Sequence, residues 1–145
     1  MTLLERGFQH FINAFKLYGV FSGRSTREEY WMFTLIYFLS YIVLSGAAWL
    51  LNSDVFQIIL TILSIAVIVP SLSITARRLH DMGRSGWIQL APYIGMVFAI
   101  IGVFQESQVL MLGGTILMLV LFVVLMVFLV TPSQDDNAYG EKPQI

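Results

Sequence analysis

The chain has 145 residues, enough for one domain; 57% are hydrophobic and 12% charged, where a soluble domain carries about 25% charged residues. A soluble core of this size cannot bury so much apolar surface, so part of the solvent must be lipid. A formal net charge of −1 gives no global basic field for nucleic acid, and the lack of cysteine excludes disulfides, thiolate chemistry and Cys-ligated metal.

At the start of the chain, Leu4, Phe8, Phe11, Phe15 and Tyr18 recur at helical spacing, with Glu5, Gln9, Asn13 and Lys16 off the stripe. This periodicity predicts an amphipathic helix over about residues 3–19. The expected place for its apolar face is the headgroup boundary of a membrane; the alternative packs that face on the protein's own charged end. The first thirty residues carry seven charges and no apolar core followed by a small-residue cleavage site, so no cleavable leader is expected.

The next stretch, "FSGRSTREEYW" (21–31), holds Ser25 or Thr26 with Glu28 or Glu29 three residues on. That is the pattern of a capping box, in which each side chain satisfies the other's free backbone N–H. It predicts a helix beginning near Thr26.

Four uncharged segments follow: Trp31–Leu51, Val55–Ala76, Trp87–Phe104 and Val109–Val130. Each is close to the roughly 20 residues a helix needs to cross the hydrocarbon layer. Pro70 should kink the second, and Pro92 falls within the third, which is the shortest. Ala91, Gly95 and Ala99 form a small-residue ridge, and Gly113 and Gly114 mark the fourth, so close helix approach is expected there. No ionisable residue lies inside a span, which argues against proton relays and ion pathways.

The connectors orient these spans. Arg6, Lys16, Arg24, Arg27, Arg77, Arg78, Arg84 and Lys142 all fall on one side, while the opposite turns carry only Asp54 and Glu106. By the positive-inside rule the basic side is cytoplasmic, with both termini. Tyr30, Trp31 and Trp87 would anchor the inner interface and Trp49 the outer one. The expected fold is an all-α membrane protein: four transmembrane helices with an N-terminal cytoplasmic amphipathic helix, one integral domain over residues 1–145, and a cytoplasmic tail at 131–145.

Between the second and third spans lies "ARRLHDMGRSGW" (76–87). The cytoplasmic mouth holds five arginines (Arg24, Arg27, Arg77, Arg78, Arg84) and three acids (Glu28, Glu29, Asp81), so five minus three leaves two positive charges. Arginine's planar fork suits bidentate pairing with carboxylate or phosphate. An ion-pair clasp of Arg24, Arg27, Glu28, Glu29, Arg77, Arg78, His80, Asp81 and Arg84, with room for an anion, is the expected structure. His80 and Asp81 are adjacent and so point apart, and His10 is the only other histidine. No catalytic, cofactor or metal site is expected.

"FSGRSTREEYWMF", "VPSLSITARRLHDMGRSGW" and "NAYGEKP" resemble the YhaH-like family of small bacterial inner-membrane proteins, a domain of unknown function (805). The match runs in order from about Leu17 to Pro143. The resemblance implies a multi-span protein of the bacterial cytoplasmic membrane and supplies no activity, cofactor or catalytic residue. The expected function is therefore structural or interactive, with anionic phospholipid of the bilayer, a second copy or another membrane protein as partner, and no nucleic acid. Two alternatives stay open: an oligomeric small-solute transporter or channel, and a lipid-phosphate enzyme using His80 and Asp81.

Overall fold

The computed structural model describes residues 3–143, with side chains from Glu5 onward. The chain forms α1 (Leu3–Lys16), α2 (Arg27–Leu51), α3 (Asp54–Asp81), a 3₁₀ turn (Gly86–Leu90), α4 (Ala91–Phe104) and α5 (Gln108–Val130). No strand occurs among the described residues, apart from an isolated bridge between Asn137 and Gly140. Among the described residues, four segments are long and apolar enough to cross a membrane: α2, α3, the 3₁₀ turn with α4, and α5.

Helix α2 starts where the capping pattern places it. Thr26 Oγ1 accepts from Glu29 N at 3.2 Å, and Glu29 Oε2 accepts from Thr26 N at 3.0 Å. Of the two carboxylates, Glu29 closes the box. The helix ends at Asn52, whose left-handed backbone (φ 45°) turns the chain directly into α3.

The expected second span stopped at Ala76, but α3 continues to Asp81. Its 28 residues rise about 42 Å, more than the roughly 30 Å hydrocarbon layer, so one end projects from the apolar zone. That end carries Arg77, Arg78, His80 and Asp81. The helix passes through Pro70 unbroken.

The third span also departs from a uniform helix. It opens as a 3₁₀ turn, and the α-helical part is only the 14 residues of α4, with Pro92 in its first turn. A proline is tolerated in the first turn of an α-helix, where its fixed φ suits the helix and no α-helical bond of α4 is lost. The longer rise per residue of the 3₁₀ turn adds length, giving roughly 31 Å in all.

Helices α4 and α5 touch backbone to backbone. A Cβ added at Gly95, Gly102 or Gly114 would lie 2.3 Å from Met118 N, Met111 N or Ala99 N respectively. Gly95, Ala99 and Gly114 belong to the expected small-residue surfaces. Gly102 extends them, whereas Gly113 faces open space.

The apolar core sits at the charged end. Ala14, Tyr30, Phe33, Val67, Ile74, Leu79, Leu125 and Leu129 join α1, α2, α3 and α5 there. Phe11 stacks on Phe33 with ring centroids 5.5 Å apart, Phe15 lies 6.4 Å from the same ring, and Gly7 lets Met32 close in. Phe11 and Phe15 thus take the second of the two expected arrangements, packed on the protein, while Phe8 is exposed. The helix ends at Lys16, so Tyr18 lies beyond it; the Leu4 side chain lies outside the described residues. Toward the opposite turns the helices are bare: Trp49, Phe104 and Val109 are each more than 80% exposed. Such surface suits lipid as solvent.

Candidate functional site

The charged end is organised around one carboxylate. Asp81 is the last residue of α3, where the helix dipole disfavours negative charge, and its side chain is fully buried. Two arginines offset both penalties. Arg24 places Nε and Nη2 at 3.0 and 2.9 Å from Oδ1, and Arg78 Nη1 donates to Oδ2. The three side chains are 0–2% exposed.

A buried guanidinium must find acceptors for all of its donors. Here most are main-chain carbonyls of the last turn of α5 and of the segment that follows it. Arg24 donates to Gln134 O (2.6 Å), Asp135 O (3.0 Å) and Gly140 O (2.9 Å), and to Asp81 O at 3.2 Å. Arg78 donates to Leu129 O at 3.1 Å and to Thr131 O. The last carbonyls of a helix lack intrahelical partners and favour a nearby cation. Helix α5 has no basic residue in its last turn, so Arg78 of α3 supplies that cation. Arg27 adds a long contact to Val130 O at 3.5 Å.

The tail answers with its own donors. Gln134 N donates to Asp81 O at 3.1 Å, and Asn137 Nδ2 to His80 O at 3.0 Å. The tail from Thr131 is therefore folded back onto the end of α3, a feature that sequence reasoning missed. The only available signal was "NAYGEKP", whose Asn137 and Gly140 close the turn that Arg24 reads.

The other expected members divide. Arg77 is 6% exposed, has Glu29 as its charge partner, and holds the loop through its own carbonyl, which accepts from Ser25 N at 3.0 Å. Its Nε is buried without a hydrogen-bond partner among the described residues. Glu29 also accepts from Ser25 Oγ at 2.9 Å. Glu28 turns instead to α1, 3.5 Å from Arg6 Nη1 and 3.9 Å from His10 Nε2. Arg84 is exposed, with its guanidinium 5.3 Å from the centre of the Phe128 ring. His80 Nδ1 bonds Gly23 O at 3.1 Å, and its ring lies flat on Tyr139 with centroids 4.0 Å apart. So Arg24, Arg78 and Asp81 form one relay, Arg77 and Glu29 flank it, and Glu28, Arg27 and Arg84 stand outside.

Residues 18–141 match the family described as "Protein of unknown function (DUF805)". The chain is 35% identical over 96 residues to "Inner membrane protein YhaI" of Escherichia coli (strain K12), covering 64% of this chain and 80% of that protein. It is 35% identical over 97 residues to "Inner membrane protein YhaH" of the same strain, covering 63% and 80%. Similarity to the "Uncharacterized protein YiiR" extends further, 28% over 130 residues and 86% of each chain. No solved structure matches the chain.

Proposed function

This chain belongs to the DUF805 family of proteins of unknown function, and from that premise we propose a structural or interaction role centred on a clasp at the cytoplasmic surface of the inner membrane. The observation that carries the reading is the Asp81 carboxylate shared by Arg24 and Arg78, whose remaining donors grip the last turn of α5 and the segment after it. It joins the loop before α2, the end of α3 and the exit of α5. Both helical hairpins are thereby tied at one end.

The orientation rests on the charge partition: all eight Lys and Arg fall on the clasp side. On this reading α1 lies along the cytoplasmic boundary, packed through Phe11 and Phe15, with Phe8 reaching toward lipid. Arg24 and Arg78 are buried and committed to Asp81 and to main-chain carbonyls, so an anionic headgroup or acidic partner would meet the exposed Arg27 and Arg84 instead. A non-catalytic role fits the same geometry. Asp81 is committed to two arginines, and His80 Nδ1 bonds the Gly23 carbonyl and not a carboxylate, so the two do not form a base–carboxylate pair. The polar side chains of the spans also bond their own helices, as Thr34, Ser40, Thr61, Thr75 and Thr115 do. A continuous polar stripe for solute transport gains no support from them.

The test has two arms. With Asp81→Asn, residues 131–143 should be cut faster by protease in inside-out vesicles while the spans stay inserted; unchanged protection would refute the clasp. In detergent, anionic lipid should raise the wild-type melting temperature more than that of Arg27→Gln/Arg84→Gln, and an equal rise would remove the headgroup role.

A further inference from the structure

Beside the clasp, and outside it, lies an open cleft of about 560 Å³ between the end of α3, the 3₁₀ turn and the tail. That volume falls within the roughly 300–1,000 Å³ of small-molecule sites. Phe21, Leu72, Ala76, Trp87 and Leu90 make most of its wall, and His80, Ser85, Gln89 and Tyr139 give it polar points. Among the described residues no Lys, Arg, Asp or Glu lines it. A charged head would find no counter-ion there, so a fitting ligand is uncharged where it enters.

The tautomer of His80 decides what that head must offer. Nδ1 lies 3.1 Å from the Gly23 carbonyl, which can only accept, so Nδ1 carries the proton. Nε2 of the neutral ring is then an acceptor, and it has no partner among the described residues. The flat stack on Tyr139 and the bond to Gly23 fix the ring. Gly86 keeps space beside Nε2, since a Cβ there would stand 3.3 Å from it and 2.7 Å from Ala76 Cβ. Ser85 Oγ accepts from Trp87 N at 3.4 Å, which leaves its hydroxyl hydrogen free to donate. Arg84 is turned away onto Phe128.

The geometry points to a binding site for a bilayer amphiphile: an apolar chain along Phe21, Leu72 and Leu90, carrying an uncharged hydroxyl head that donates to His80 Nε2. The bilayer is the source because the cleft lies where the third candidate span begins, next to Trp87, which is 79% exposed and suited to the lipid–water boundary. A phenol and a glycerol monoester both present such a hydroxyl.

The experiment uses the full chain in phosphatidylcholine nanodiscs with a diazirine-bearing 4-alkylphenol as photolabel. Labelling should concentrate in peptides containing residues 72–76 and 86–90. 4-Decylphenol or monodecanoylglycerol should compete, and the stronger of the two identifies the head as aromatic or glycerol. 4-Decylanisole, which lacks the donor, should compete about three- to tenfold more weakly, the worth of one hydrogen bond. Decyl phosphate should compete least. His80→Phe keeps a ring on Tyr139 and should erase the preference for phenol over anisole. Leu90→Trp, at a position 40% exposed, should fill the cleft and abolish the label without lowering the melting temperature. Labelling spread evenly over all four spans, equal competition by anisole, best competition by the phosphate, or persistence in Leu90→Trp would each overturn the site. The clasp is read by tail protection and stability, so either proposal can fail alone.

Discussion

The chain uses the tripeptide Gly-Arg-Ser twice, at 23–25 and 83–85, each time just before a candidate span. Both glycines take left-handed backbones, φ 83° and 65°, that other residues rarely adopt. In both, a hydroxyl then caps the helix or turn that follows: Thr26 for α2 and Ser85 for the 3₁₀ turn. Yet the Arg24 side chain is 2% exposed, with Asp81 and four carbonyls around it, whereas Arg84 is exposed over an aromatic ring. Local sequence sets the turn in each case. What surrounds the guanidinium comes from elsewhere in the chain, from residues 57 to 116 positions away for Arg24. An arginine in such a turn is an anchor by default and becomes a clasp only where acceptors converge on it.

The largest expected effect is at the shared carboxylate. Asp81→Asn leaves two buried guanidinium groups without their counter-charge, and loss of one partner of a buried pair costs about 3–5 kcal/mol. The melting temperature in detergent should fall accordingly; a small change would mean that the carbonyls alone hold both arginines.

Arg24→Lys keeps the charge but loses the fork that reaches Asp81, Gln134, Asp135 and Gly140 together. Bonds to charged groups are worth about 1.5–3 kcal/mol each and lysine recovers some of them, so a net loss of about 2–3 kcal/mol is expected. Denaturation of the paired variants then sharpens the contrast. Arg84→Lys keeps an exposed cation over Phe128 and should cost about 0–1 kcal/mol. Equal losses at the two positions would break the comparison.

A contact far from either turn calibrates the scale. Gly102→Ala would push a Cβ into the backbone of α5, and overpacking of this kind costs about 1–3 kcal/mol. Gly113→Ala meets open space and should be near neutral. Neither should loosen the tail, which separates general destabilisation from release of the clasp.

Much of the fold was legible because its signals are local and one-dimensional. Uninterrupted apolar runs mark the spans, and Ser-Thr-Arg-Glu-Glu marks the start of α2. The length of α3 past Ala76 was hidden by its charges, since Arg77 to Asp81 looks like a connector until Asp81 is seen neutralised at the helix end. The 3₁₀ opening of the third span left no signal of its own, since Pro92 serves equally well in the first turn of an α-helix. The site was legible only as a collection. Composition brought nine residues to one surface, but it could not separate the three that form the relay from Glu28, Arg27 and Arg84. The deciding acceptors are main-chain carbonyls of the tail, which every residue possesses and which therefore leave no mark in sequence.

Hydrogen exchange of the tail amides tests the central claim most directly. Gln134 N bonds Asp81 O, and Asn137 and Gly140 pair with each other within the turn that Arg24 holds. In the full chain in nanodiscs, Arg24→Lys should speed exchange at Gln134, Asn137 and Gly140 by about tenfold or more, since a bond network worth over 1.4 kcal/mol is lost. Arg84→Lys should leave all three rates unchanged. Tail exchange that is insensitive to Arg24→Lys, or equally sensitive to both substitutions, would contradict the clasp.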